Sequence, residues 1–234
     1  MKLNDRLQKI AGQIREGETM ADIGTDHGFL PIALKMSGRC PHVILTDISE
    51  GSLAKALSDC SLYDPEESYD LRAGDGLTVL RPGEVDNVVI AGMGGVLIGE
   101  ILGKDPDLTY SFRRFILQPR NQIGKLRKAL ADLGIGIVRE QIAEEGKFLC
   151  VILTAEPGAP CPSGPAYEDA PWLWDFPDSL IAEQDDLVRQ YLKRESDKYK
   201  KIETQILEHS EDAARLEGIR QYLKRIRILI KEME

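Results

Sequence analysis

Short strand-like runs alternate with amphipathic helical patterns through residue 155. Residues 19–24, 42–47, 69–73, 86–91 and 114–118 predict strands, each closed by glycine, proline or an acid. Residues 30–36, 49–60, 96–102 and 123–133 predict the intervening helices. Pro31 is tolerated in a first helical turn, and Leu126, Leu130 and Leu133 share one face. A short amphipathic helix with Leu3, Leu7, Ile10 and Ile14 on one side precedes them. Residues 136–143 and 147–155 predict an antiparallel pair joined around Glu145-Gly146. Strands alternating with helices imply a parallel sheet with right-handed crossovers. The expected fold class is α/β, Rossmann-like: a mostly parallel seven-stranded sheet with helices on both faces.

The rest of the chain changes character twice. Pro157, Pro160, Pro162, Pro165, Pro171 and Pro177 break any regular element, predicting a linker whose Trp172, Trp174 and Phe176 pack back as anchors. Beyond it, Val188, Leu192, Tyr199, Ile202 and Ile206 recur at helical spacing. Leu216, Ile219, Leu223, Ile226, Ile230 and Met233 then do so more purely. The polar stretch 209–212 between them reads as a turn. An antiparallel coiled-coil hairpin is expected, giving units at 1–156, 157–177 and 178–234.

Hydrophobic residues make up 42% of the chain, and no apolar run reaches the ~18 residues that a membrane span requires. The N-terminal segment lacks the pattern of a signal peptide, so a cytoplasmic protein is expected. Cys40, Cys60, Cys150 and Cys161 have no Cys-x-x-Cys spacing, which argues against a zinc site or a disulfide framework. No metal is expected. Net charge is −9, yet residues 180–234 balance 12 basic against 12 acidic side chains, so the surplus lies upstream.

Chemistry concentrates at the strand ends. Asp22-Ile23-Gly24-Thr25-Asp26-His27-Gly28 joins a strand to a helix, and it is neither Gly-x-x-x-x-Gly-Lys nor Gly-x-Gly-x-x-Gly. Two carboxylates there would repel a pyrophosphate. They suit a ligand with an ammonium, a sulfonium and ribose hydroxyls, which describes S-adenosylmethionine. Asp47 ends the second strand, where it can accept both ribose hydroxyls. Asp75, in Gly-Asp-Gly-Leu, can accept an adenine amino group while Leu77 packs on the ring. Asp22 and Asp26 can meet the methionine ammonium. Candidate cofactor residues are Asp22, Gly24, Thr25, Asp26, His27, Leu30, Asp47, Ile48, Asp75, Gly76, Leu77, Ala91, Gly92 and Met93. The glycines of Ala91-Gly92-Met93-Gly94-Gly95 would let a substrate approach the backbone. Asp26, His27, Met93 and Gly94 are the catalytic candidates; Asp26 or His27 could take a proton as charge develops on a base. A closing antiparallel hairpin after such turns is the arrangement of class I methyltransferases rather than of dinucleotide dehydrogenases.

On residues 22–31, Gly74-Asp75-Gly76-Leu77, Ile90-Ala91-Gly92-Met93-Gly94-Gly95 and Leu117-Gln118-Pro119, the chain resembles the bacterial tRNA (adenine-22-N1)-methyltransferase family, the TrmK-like enzymes. The opening Leu3-x-x-Arg6-Leu7 and the helical hairpin also fit. The resemblance implies a class I S-adenosylmethionine-dependent enzyme with a C-terminal coiled-coil domain, methylating N1 of adenine 22 in tRNA. One departure is Arg120, which precedes Asn121 where the family usually shows Asn directly.

An acidic chain must then bind tRNA through local basic faces. Arg113, Arg114, Arg120, Lys125, Arg127 and Lys128 would cluster near the cofactor edge. Lys193, Arg194, Lys198, Lys200 and Lys201 line the first hairpin helix, and Lys224, Arg225 and Arg227 the second. Of these, Arg113, Arg114, Arg120, Lys125, Lys193, Arg194 and Lys198 are the preferred contacts. A monomer or weak homodimer is expected. A methyltransferase acting on another RNA position or a small molecule, and a non-catalytic cofactor-binding adaptor, are the alternatives.

Overall fold

The structure, a computed structural model, describes residues 1–162, 165–168, 170–209 and 212–234. It opens with α1 (Asp5–Ala11), capped by Asn4, whose side-chain oxygen accepts the Leu7 N–H at 2.9 Å. Next come β1 (Met20–Ile23), α2 (Phe29–Met36), β2 (Val43–Asp47), α3 (Glu50–Tyr63), β3 (Asp70–Ala73) and a 3-10 turn, Gly76–Val79. They are followed by β4 (Asn87–Met93), α4 (Gly95–Gly103), α5 (Pro106–Tyr110), β5 (Arg114–Pro119), α6 (Ile123–Asp132), β6 (Ile135–Glu145) and β7 (Phe148–Pro157). The short helices α7 (Pro165–Glu168) and α8 (Pro171–Asp175) lead to α9 (Asp186–His209) and α10 (Ala213–Glu232).

One seven-stranded sheet runs in the order β3-β2-β1-β4-β5-β7-β6. Strands β1 to β5 are parallel, and β7 enters antiparallel between β5 and β6. The central strands are buried on both faces, which is why they read as continuous apolar runs. One apolar layer joins Ile10, Ile14, Leu30, Leu34 and Ala56 of α1 to α3 to the sheet. The other gathers Ile98, Leu102, Leu126 and Leu130 of α4 and α6.

That second layer continues into the C-terminal helices. Val188, Tyr191, Leu192, Ile226, Leu229 and Met233 belong to the same cluster as Ile142, Val151 and Leu153 of the sheet edge. The two helices are antiparallel: Arg189 donates to the Met233 carbonyl near one end, and Arg220 to Glu203 further along. The seam deviates from the heptad expectation. Leu229 is buried and Ile230 only half-buried, while Leu216, Ile219 and Leu223 are half-buried. The base of the hairpin faces the sheet as well as its partner helix, which rotates the buried stripe. Ser210 and Glu211, within the expected turn, lie outside the described residues; Asp212 caps α10 by accepting the Arg215 N–H at 2.9 Å.

The proline-rich segment does anchor the hairpin. Phe176 is buried among Tyr191, Tyr199 and Tyr222. The Asp175 carboxylate accepts the Gly124 N–H at 3.1 Å and the Tyr222 hydroxyl at 2.8 Å. Beneath it lies a buried ion pair, Arg127 Nη2 to Glu140 Oε2 at 2.5 Å, with both side chains almost wholly excluded from water. Arg127 Nη1 also donates to the carbonyls of Trp174 and Asp175, and Ser179 donates to Glu140.

Candidate active site

A cavity of about 620 Å³ opens at the carboxyl ends of β1, β2 and β4. That is the ligand edge of an open parallel sheet. Where β1 stops, Gly24 turns at φ +77°, and a Cβ there would run into Met93 Cε. The Gly24 and Thr25 N–H groups both donate to the Thr46 carbonyl, at 2.8 and 2.9 Å, strapping this turn to β2. Asp26 follows in the left-handed region at φ 45°, a cost that Asp bears better than most residues.

Four carboxylates face this space from three strand ends. Asp22 is 8% exposed and accepts the Thr25 hydroxyl at 2.8 Å. Burial pushes its carboxyl from an ordinary 3.8 up to about 6, against the pull of Thr25 and Arg6. Asp47 accepts the Ser49 N–H at 2.8 Å and lies 3.5 Å from the Asp26 N–H. Asp26 is paired with Lys55 at 3.1 Å, and Asp75 with Lys104 at 2.6 Å. Both pairs are more than half exposed, so each is worth at most about 1 kcal/mol and exchanges readily for a ligand. His27 Nδ1 lies 2.8 Å from Asp59, its Nε2 is 3.9 Å from Asp26, and its ring stacks on Phe29 with centroids 5.1 Å apart.

The Asp22 shift makes a pH prediction. A folded-state value above the unfolded one means that protonated Asp22 stabilises the fold fully below about pH 4. That contribution is lost as pH rises through 6. Asp22→Asn is therefore expected to raise the melting temperature at pH 8 and change it little at pH 4. A variant no more stable at pH 8 would show that Asp22 carries no such penalty.

Of the candidate cofactor residues, Asp22, Gly24, Thr25, Asp26, His27, Leu30, Asp47, Ile48, Asp75, Gly76, Ala91, Gly92 and Met93 line the cavity. Leu77 does not. It is buried and lines an adjoining hollow with Leu80 and Leu108, which shares Asp75, Gly76 and Ile101 with the main cavity. Gly94 is absent from the lining too. The space its neighbour Gly95 leaves is filled by the chain itself, since a Cβ on Gly95 would meet the carbonyls of Asn121 and Gln122. The Gly95 N–H donates to Asn121, and the Arg120 N–H donates to the Met93 carbonyl. These two glycines leave room for the close approach of the 120–122 loop.

The basic cluster expected at this edge divides. Arg120 lines the cavity and Lys125 is exposed on α6. Arg113 and Arg114 are corrected: Arg114 is the first residue of β5 and Arg113 precedes it, so they stand at the opposite edge of the sheet from the cofactor end. Arg114 is buried, bonded to Glu18 at 2.9 Å and Glu156 at 3.0 Å, and Arg113 lies near Glu18 and Asp86. Arg127 is consumed by Glu140. Lys193, Arg194 and Lys198 are exposed on α9.

The sequence marked Arg6 within the opening Leu3-x-x-Arg6-Leu7 pattern but not as a site residue. It reaches the cavity from α1, with Nε on Glu145 at 2.7 Å and Nη1 on the Gln118 side-chain oxygen at 3.1 Å. Phe29, Leu97 and Ile101 supply apolar lining that was likewise not singled out. Thr46 lines the cavity too, and its buried hydroxyl has no partner among the described residues. Among those residues no group of three or more His, Cys, Asp or Glu is placed to hold a metal, and no helix is long and apolar enough to cross a membrane.

The strand order with its antiparallel β7, and an acid-lined cavity at the carboxyl edge without a phosphate loop, define the class I methyltransferase fold. The chain belongs to the methyltransferase domain family, whose model matches residues 3–153. It is 35% identical over 158 residues to the tRNA (adenine(22)-N(1))-methyltransferase of Bacillus subtilis strain 168, an alignment covering 68% of this chain and 66% of that enzyme. The crystal structure of the B. subtilis m1A22 tRNA methyltransferase TrmK superposes with TM-score 0.80 at 28% identity, over 98% of this chain and 99% of that one. A Streptococcus pneumoniae protein in complex with S-adenosyl-L-methionine superposes with TM-score 0.82 at 27% identity, covering 96% and 98% of the two chains.

Proposed function

We propose that this protein transfers the methyl group of S-adenosyl-L-methionine to N1 of adenine 22 in tRNA. The observation that carries the reading is the cavity's division of charge. Asp22, Asp26, Asp47 and Asp75 line it from the strand ends, and the guanidinium-bearing Arg6 and Arg120 line it too. The carboxylates match an ammonium, a ribose diol and an adenine amino group, while the arginines match the phosphates beside a target nucleotide. The volume falls in the range of small-ligand sites.

When bound, the cofactor supplies an electrophilic methyl group on a sulfonium. The residues of this chain hold and align the partners. Asp47 accepts the ribose hydroxyls, Asp75 the adenine amino group, and Asp22 with Asp26 the ammonium. Ile48, Leu97 and Ile101 exclude water around the base. Adenine N1 brings its own lone pair, so alignment does most of the work. The amino proton released as charge develops passes to Asp26 at the exposed rim, with His27 beside it. With tRNA as substrate, the protein acts in the cytoplasm. Exposed Arg120, Lys125, Lys193, Arg194 and Lys198 neutralise phosphates, so affinity falls steeply with salt.

Transfer of labelled methyl to unmodified tRNA, with the modified position mapped, tests the reading. Cofactor binding without product, or an unchanged yield on a tRNA lacking adenine 22, would sink it. Asp26→Asn keeps the left-handed turn and removes the proton acceptor. Turnover at saturating tRNA should fall by roughly 10²-fold or more; unchanged turnover would remove Asp26 from the reaction.

A further inference from the structure

The tip of the β6–β7 hairpin presents an aromatic ring that the methyl-transfer site does not use. Phe148 is 62% exposed, and Lys147 Nζ lies 5.3 Å from its ring centroid. Its cross-strand partner is Glu145, and such a pair projects from one side of the sheet. Glu145 accepts the hydrogen bond of Arg6, which lines the cavity. Cys150, two residues on and on the same face, sits 3.9 Å from Glu145. Phe148 therefore projects on the same face as the Arg6–Glu145 pair, whose arginine lines the cavity. From the other side of the sheet, Arg194 of α9 donates to the Lys147 carbonyl at 3.0 Å. The exposed basic face with Lys193 and Lys198 starts there.

We propose that Phe148 is a base-stacking step for the RNA substrate: a nucleotide next to the target adenine stacks on its ring while Lys147 meets the phosphate, carrying the strand from Arg120 and Arg6 across the tip onto α9. The proposal rests on the reading of the protein as a tRNA methyltransferase. An exposed ring flanked by cations is how proteins hold unpaired nucleotides without reading their sequence. The local charge agrees: Glu145 is neutralised by Arg6, and strand alternation puts Glu144 on the opposite face.

The test compares Phe148→Ala, Phe148→Leu and Phe148→Tyr for tRNA binding at equilibrium, for KM and kcat, and for cofactor binding. Phe148→Ala should weaken tRNA binding and raise KM by about 5- to 100-fold. Its kcat and cofactor affinity should stay within about twofold of the wild type. Phe148→Tyr should behave as wild type, and Phe148→Leu should stay impaired, because a leucine covers apolar surface without a π-face. Full function in Phe148→Leu, or unchanged tRNA binding in Phe148→Ala while the wild type methylates tRNA, overturns the stacking step. Phe148-dependent tRNA binding without any methyl transfer by the wild type would instead sink the proposed reaction and leave the stacking step standing.

Discussion

An Asp47→Ala variant is expected to bind S-adenosyl-L-methionine at least a hundredfold more weakly than the wild type while keeping its melting temperature within a few degrees. Asp47 ends β2 with one carboxylate oxygen committed to the Ser49 N–H and the other near the Asp26 N–H. Both oxygens retain accepting capacity toward the cavity. Two hydrogen bonds from ribose hydroxyls to a charged acceptor contribute roughly 3–5 kcal/mol together. At about 1.4 kcal/mol per factor of ten, their loss costs 10²- to 10³-fold or more. Titration calorimetry with the cofactor gives the number directly. Asp47→Asn, which keeps an acceptor oxygen and the turn, should fall between the two. A variant that binds as tightly as wild type would place the ribose elsewhere.

The second large effect concerns stability. Glu140→Ala should destabilise the protein by about 3–5 kcal/mol, because it strands the Arg127 guanidinium in a site that is 2% exposed. The penalty is one of desolvation, so it should not be relieved by salt. The double variant Arg127→Met with Glu140→Leu removes both charges and should recover most of the loss. Urea unfolding of the three proteins checks this. A Glu140→Ala midpoint equal to wild type would mean that water reaches Arg127. Arg127 also holds the carbonyls of Trp174 and Asp175, so the double variant, which removes it, should keep a residual deficit and loosen the segment that seats Phe176 and the hairpin base.

The acidic edge of the sheet was legible in the sequence because each strand announces its end locally. Asp47 closes an apolar run, Asp22 stands one residue before the end of another, Asp75 sits in a Gly-Asp-Gly turn, and Met93 is followed by two glycines. What depended on direction along a strand was harder to read. The predicted strand already began at Arg114, with Arg113 before it, so expecting both at the cofactor edge overlooked the direction of the strand. Five steps of about 3.3 Å set Arg114 roughly 17 Å from the strand's far end. Gly94 and Gly95 advertised open backbone, but the sequence could not say that residues 120–122 would fill it. The place of Arg6 in the site was not legible for a different reason. Its partner Glu145 lies 139 residues away, and no local periodicity encodes such a contact. The shift from Ile230 to Leu229 in the hairpin has the same origin, a third surface that a two-helix repeat does not contain.

The clasp between α1 and β6 has a consequence for synthesis on the ribosome. Besides the Arg6–Glu145 bond, Lys9 donates to the Ile142 carbonyl, and the Glu144 N–H donates to Asp5 at 2.7 Å. The first helix thus finds its partners only after well over a hundred further residues have been made. At roughly 5–20 residues per second, that is a wait of about ten seconds or more. During it, the acidic turn at Asp22–Asp26 has no wall on the Arg6 side, and Ile10 and Ile14 lack part of their final cover. The nascent chain carries an open, incomplete cavity and an apolar helix available to chaperones. The cavity gains its Arg6 wall only once the β6–β7 hairpin is in place on the sheet edge.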